Sequence, residues 1–338
     1  PQVTTESDLY EIQEVRYQNK KDGTWLSASV TIPPGTKKHS AIVLIPGSGP
    51  HHRDAFRSGG HRPFKIIADV LTRNGYIVLR ADKRGIYKSS GDYLSATVDD
   101  FAKDAIAAVD FLKAHKRVDK NKINLIGHSE GSLIASMISS KETINSVVSM
   151  AGPGLSVLDN LLLQDQSEPA VKGATKHETD VLLEFSRRFY NIVLQETSKA
   201  SRTKKLQTLY DSLTGQEALI VNKWNKRRGT LNVDFASRDN FAKNLKDDPS
   251  KYWSKVTAPV LVLNGGKDSQ VPAAENVAGI LNTLKSNNNI NVQSEIFPEM
   301  NHVFQTAKTG ATSEYSKIEQ TIEEEVLESI ISWLDKHN

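Results

Sequence analysis

The sequence predicts an α/β protein, a mostly parallel eight-stranded sheet with helices on both faces and an inserted helical cap. Three observations carry this. Short apolar runs such as Ala41-Ile42-Val43-Leu44-Ile45 and Val260-Leu261-Val262-Leu263 read as strands buried on both faces. Stretches with helical spacing separate most of these runs, the alternation of a parallel sheet covered on two sides. Between residues 155 and 254 the alternation stops and only helical spacing remains. An insertion that long exceeds an ordinary loop and suits a lid over a site. The expected organisation is therefore a sheet domain from residues 1–154 and 255–338, with 155–254 as the cap.

Along the chain, Glu11 to Gln18 and Trp25 to Ile32 alternate apolar and polar residues as half-buried strands, joined by turn chemistry at Lys21-Asp22-Gly23. After the Ala41 strand, Phe64, Ile67, Val70 and Leu71 mark a helix from Pro63 to Asn74 that stops at Gly75. Tyr76 to Leu79 is the next strand. Phe101, Ala105, Ala108, Val109 and Leu112 share one helix face, with a cap at Thr97 or Asp99. Ile123 to Ile126, a helix through Leu133, Ile134, Met137 and Ile138, and the strand Val147 to Met150 follow. In the insertion, Val181, Leu182, Phe185, Phe189 and Val193, then Leu206, Leu209, Tyr210 and Leu213, then Ala218, Val221 and Trp224 have helical spacing, and their aromatic stripes read as packing. The Val260 strand, a helix from Ala274 to Leu284, the strand Val292 to Phe297 and a helix from Ile318 to Leu334 complete the order.

Composition excludes several functions. The 338 residues contain no cysteine, hence no disulfide framework, thiolate metal site or thiol nucleophile. Lys and Arg number 43 against 40 Asp and Glu, too even for nucleic-acid binding by phosphate neutralisation alone. The insertion carries 16 basic and 13 acidic residues, so the net charge of +3 resides there. No apolar run approaches the roughly 20 residues of a membrane-spanning helix. The chain opens at Pro1 without Met or an apolar leader, which reads as a trimmed or mature chain and leaves cytoplasmic and exported locations both open.

The chemistry gathers at strand ends. Gly127-His128-Ser129-Glu130-Gly131 lies between a buried strand and an amphipathic helix, the setting in which G-x-S-x-G forms a sharp turn that presents its serine. A serine nucleophile requires a base and an orienting acid. Asp268 follows the Val260 strand, and His302 follows the last strand, in the chain order Ser, Asp, His. The loop Pro46-Gly47-Ser48-Gly49-Pro50 can turn backbone N–H groups inward, so the N–H groups of Ser48 and Glu130 form the expected oxyanion hole. Gly47, Gly49 and His128 are expected beside the substrate. The loop lacks the glycine and lysine spacing of nucleotide-binding motifs. His51, His52, Asp54 and His61 match no ligand spacing for a metal, and the serine mechanism calls for no metal or cofactor. Asp82-Lys83-Arg84-Gly85 reads as a turn bracing the oxyanion loop through Asp82 or Arg84, and the basic run Lys223 to Arg228 as a solvated helix end, with contact to an anionic ligand as the alternative.

At these residues, together with Arg53-Asp54, Lys88-Ser89 and Ala151-Gly152-Pro153-Gly154, the sequence resembles the α/β-hydrolase superfamily, in particular bacterial serine carboxylesterases with a Gly-Ser-Gly-Pro oxyanion loop. The resemblance implies a helical cap and hydrolysis of small-molecule esters with short acyl chains. Two residues depart from its pattern: His52 stands where an acidic residue is usual, and Tyr87 where a second glycine is usual, both expected near the substrate entrance. The same triad serves a serine peptidase or amidase, for which Glu178 or Glu184 would hold a substrate amine. A non-catalytic small-molecule receptor can also retain it. Haloalkane dehalogenases and epoxide hydrolases need a carboxylate where Ser129 stands. Oligomeric state is not encoded in any feature of the chain.

Overall fold

The computed structural model describes residues 1–4, 9–225 and 229–338; the basic positions Lys226, Arg227 and Arg228 of the run noted above lie outside them. The eight expected strands form as β1 (Glu11–Gln18), β2 (Trp25–Ile32), β3 (His39–Ile45), β4 (Ile77–Ala81), β5 (Val118–His128), β6 (Ser146–Met150), β7 (Val260–Gly265) and β8 (Val292–Phe297). They make one sheet in the order β1-β2-β4-β3-β5-β6-β7-β8. β1 pairs with β2 and β2 with β4 antiparallel, and every other pairing is parallel. Every residue of β3, β6 and β7 is buried. The apolar runs are continuous because both faces of these strands are covered.

One face carries α1 (Pro63–Arg73) and α12 (Glu324–Lys336), packed through Phe64, Ile67, Leu71, Val326, Ile330 and Trp333. The other carries α2 (Val98–Ala114), α3 (Glu130–Ser139) and α11 (Ala273–Ser286), packed through Val109, Leu112, Leu133, Ile134 and Ile280. Thr97 caps α2 with a reciprocal box to Asp100, choosing between the two caps the sequence allowed. The final helix is shorter at its start than its periodicity suggests. Residues 318–323 precede it without helical structure, because Ile322 is buried under the sheet with α12 while Gln305 takes the carbonyl of Gln320 at 2.8 Å.

Between β6 and β7 the chain forms α4 (Val157–Val171), α5 (Lys176–Gln195), α6 (Lys199–Asp211), α7 (Gly215–Asn225), α8 (Val233–Ala236), α9 (Asp239–Asn244) and α10 (Ser250–Trp253). Phe185, Phe189, Tyr190, Leu206 and Val221 build a separate core there, which ends at Leu245. Trp253 belongs to the sheet-side core instead, so α10 packs with α3 and α11 beneath the sheet. The self-contained part of the insertion is thus slightly shorter than residues 155–254. Where the chain leaves and re-enters the sheet domain, the Val157 N–H donates to the Asp247 carbonyl at 3.0 Å and closes the neck.

Candidate active site

Parallel registry brings the strand ends together. Ile45 pairs with Gly127, His128 with Met150, Met150 with Leu263 and Gly265 with Phe297. The loops that leave β3, β5, β7 and β8 therefore emerge on one edge of the sheet, the carboxyl edge where such sheets hold their sites.

Ser129 follows β5 with φ 56° and ψ −123°, a left-handed conformation costly for a residue with a side chain, and it sits directly before the first residue of α3. Its N–H donates to the Met150 carbonyl at 2.8 Å, which ties the turn to β6. The flanking glycines have a steric cause. A Cβ on Gly127 would lie 2.2 Å from the Gly131 carbonyl oxygen, and one on Gly131 would lie 2.1 Å from that of Ile45. The turn can be this tight only where neither residue has a side chain.

His302 and Asp268 meet directly. His302 Nδ1 lies 2.7 Å from Asp268 Oδ2, and both side chains are buried. Asp268 Oδ1 accepts from the N–H groups of Gln270 and Val271, each at 2.8 Å. One carboxylate thus shapes the turn and orients the imidazole. The His302 loop is held by Asn301, whose Oδ1 accepts from the N–H groups of Val303 and Gln305 at 3.0 and 3.1 Å. His128 Nε2 donates to the His302 carbonyl at 2.9 Å, with the two rings 4.8 Å apart. The residue before Ser129 therefore grips the loop that carries the histidine. Burial drives the His128 pKa well below its ordinary value, so the ring is neutral and its Nε2–H is available for this bond.

The loop after β3 is fastened by residues that the sequence motifs only half disclosed. Arg53 donates from its backbone N–H and its Nε to Asp82 Oδ1 at 2.8 and 3.1 Å, and from Nη2 to Asp82 Oδ2 at 2.8 Å. It also reaches Ser27, Ser29 and Glu14 on the neighbouring strands. Asp82 is the brace. Arg84 points away to Asp104 and Asp22 and anchors α2 instead. Lys83, between them, donates from Nζ to the Gly47 carbonyl at 2.6 Å and to Glu130 Oε1 at 3.0 Å, joining the loop to the first residue of α3. His51 Nε2 donates to the Ser48 carbonyl at 2.8 Å. Burial, aided by Lys83 and Arg57, depresses its pKa to about 3. Among the described residues, the N–H groups of Ser48 and Glu130 have no protein acceptor.

A cavity of about 840 Å³ opens between this edge and the inserted helices. Ser48, Gly49 and Glu130 stand on its wall, opposite Glu168, Trp224 and Arg238 from the insertion. Ser129 is half-buried beside Glu130. Of the residues expected beside the substrate, Gly49 is on the wall and Gly47 lies against Ser129, where a Cβ would come within 3.0 Å of the Ser129 Cβ. His128 is buried behind the turn, and the Gly47 carbonyl is turned to Lys83. His52 and Tyr87 are also absent from the cavity wall; they form an aromatic group with Phe56 on the outer surface, where Tyr87 is 74% exposed. Glu178 caps α5 and is held down to about 2 by Lys223, by the Thr175 N–H and by Trp224. Glu184 faces solvent. Asp54 pairs with Arg80 at 2.8 Å and His61 Nδ1 lies 2.9 Å from Thr321 Oγ1, so these side chains of the weighed metal set have other work.

Comparison with known proteins agrees with this architecture. Esterase EstD of Thermotoga maritima is 26% identical over 339 aligned residues, covering 98% of this chain and 71% of that protein. Among solved structures, an esterase of Pyrococcus furiosus superposes with a TM-score of 0.58 at 18% identity, covering 99% of this chain and 96% of that one. Est1E of Butyrivibrio proteoclasticus, solved with bound ferulic acid, gives a TM-score of 0.58 at 18% identity, with 96% and 98% covered. The fold is that of the α/β-hydrolases. A family profile, X-Pro dipeptidyl-peptidase (S15 family), matches residues 22–303, most of the chain, and the chain belongs to that family.

Proposed function

We propose that this chain is a serine hydrolase that cleaves carboxylic esters of short acyl chains through an acyl-enzyme on Ser129. The observation that carries the proposal is the Asp268–His302 hydrogen bond of 2.7 Å on the sheet edge that also presents Ser129 from a strained turn. His302 Nε2 takes the Ser129 proton as Oγ attacks the acyl carbonyl, while Asp268 holds the tautomer and stabilises the imidazolium. The oxyanion is received by the N–H groups of Ser48 and Glu130, each contributing about 3 kcal/mol in the transition state. Collapse returns the proton to the departing alkoxide, and water then releases the acid with the same base. The Gly-Ser-Gly-Pro loop and the esterase names of the relatives support this reading, with the inserted helices as the cap. Replacing Ser129 with Ala is expected to lower ester turnover by roughly 10⁴-fold or more and to abolish labelling by a fluorophosphonate. Full activity in S129A overturns the proposal.

Family membership favours a second reading, cleavage of amide bonds by the same residues. Neither Glu178 nor Glu184 is placed to hold a substrate amine, and the insertion's carboxylate on the cavity wall is Glu168. Turnover of a 4-nitrophenyl acyl ester against an aminoacyl-anilide separates the two. A preference for the anilide would replace the ester reading with the peptidase one.

A further inference from the structure

On the reading that this chain hydrolyses esters, we propose that its substrate carries a carboxylate, received by Arg238 in the cavity. Among the described residues the cavity wall holds four charged side chains: Glu130, Glu168, Lys172 and Arg238. Three are matched. Glu130 takes Lys83 at 3.0 Å. Glu168 takes Lys172 at 2.7 Å and the Thr312 hydroxyl at 2.6 Å. Arg238 makes no ion pair and its guanidinium no hydrogen bond among the described residues; it lies over the Phe235 ring at 5.4 Å. Asp92, exposed on the surface, feels its charge without pairing with it.

The segment that carries Arg238 is fixed to the sheet domain. Asn240 Nδ2 donates to the carbonyls of Leu94 and Ala96 at 3.1 and 2.8 Å, and Lys243 pairs with Asp99 at 2.7 Å. Arg238 lines the same cavity as Tyr93 and Glu130, so the guanidinium and the residue beside Ser129 face one space. Planar, permanently charged and already stacked, it offers a carboxylate two parallel donors at little ordering cost. A neutral ester in the same cavity leaves that charge unmatched.

The test compares matched substrates. 4-Nitrophenyl hydrogen glutarate against 4-nitrophenyl butyrate puts the anion on the acyl side, and 3-acetoxybenzoate against 3-acetoxybenzamide puts it on the alcohol side. In one pair the kcat/KM ratio of anionic to neutral ester is expected to be about ten or more, falling to near one in R238Q and partly recovering in R238K. Calorimetric binding of benzoate against benzamide to the unaltered protein adds a readout that needs no turnover. Hydrolysis of the neutral esters with no anionic preference in either pair overturns the inference and leaves the esterase reading standing. Benzoate binding lost in R238Q, in a protein that cleaves no ester, upholds the carboxylate subsite and overturns the esterase reading.

Discussion

The sheet edge and the inserted helices meet at one cavity but are built by different rules. At the sheet edge each side chain is placed by tightly constrained backbone: Ser129 by a turn between two glycines, Asp268 by the loop after the buried β7, and His302 by the loop after its edge neighbour β8. The inserted helices have their own core around Phe185, Phe189 and Tyr190, and they contribute Glu168, Trp224 and Arg238 to the wall. The contrast teaches that the proposed reacting groups are held by the sheet alone, whereas the cavity wall is shared between the sheet domain and a region with its own core.

The strongest way to break this division is at Asp268. D268N keeps an oxygen for the Gln270 and Val271 N–H groups but offers an amide to His302, imposing the wrong tautomer. Ester kcat is expected to fall by roughly 10³–10⁴-fold with the thermal midpoint little changed. A loss below tenfold would remove Asp268 from the mechanism. Next comes F189A, which empties a fully buried site in the insertion. It should cost about 3–5 kcal/mol in denaturant unfolding of that region and raise KM more than it slows fluorophosphonate labelling of Ser129. Equal loss of both would show that the two regions are not separable.

K83M sharpens the comparison at the seam, because Lys83 joins the loop after β3 to α3. Leaving the Gly47 carbonyl and the Glu130 carboxylate without this partner should cost about 1–3 kcal/mol, read as a fall in kcat of about tenfold or more with KM less affected. The smallest effect concerns pH. In the folded chain the pKa values of His51 and His128 lie below the unfolded value of about 6.5. The unfolded chain therefore binds more protons, and the stability contributed by these residues is present above that pH and lost as pH falls toward the folded values, about 3 for His51. The thermal midpoint should drop between neutral pH and pH ~5, and H51Q should take up about one proton fewer on unfolding there. An unchanged proton uptake in H51Q would mean that His51 titrates normally.

Much of this was legible in the chain because it rests on local chemistry. Buried strands appear as apolar runs, a strained turn requires Gly127 and Gly131, and the strand ends fall in a fixed order. Asp82 as the brace was legible as one of two candidates, since both Asp82 and Arg84 carry suitable groups. The role of Lys83 was not, because its partners lie 36 and 47 residues away and nothing local marks them. The orientation of His128 was not legible either, because only the fold turns its ring back to the His302 carbonyl.

The sequence by itself determined the class of fold, the strand ends that carry Ser129, Asp268 and His302, and the excess of positive charge in the insertion. These follow from periodicity, turn sterics and composition, which are properties of neighbours along the chain. Only the tertiary structure decided that Trp253 belongs under the sheet, that Glu178 is a helix cap, and that Arg238 reaches the cavity without an ion pair among the described residues. Each depends on which helix faces pack together, and packing faces are chosen by the whole set of apolar surfaces at once rather than by any one segment.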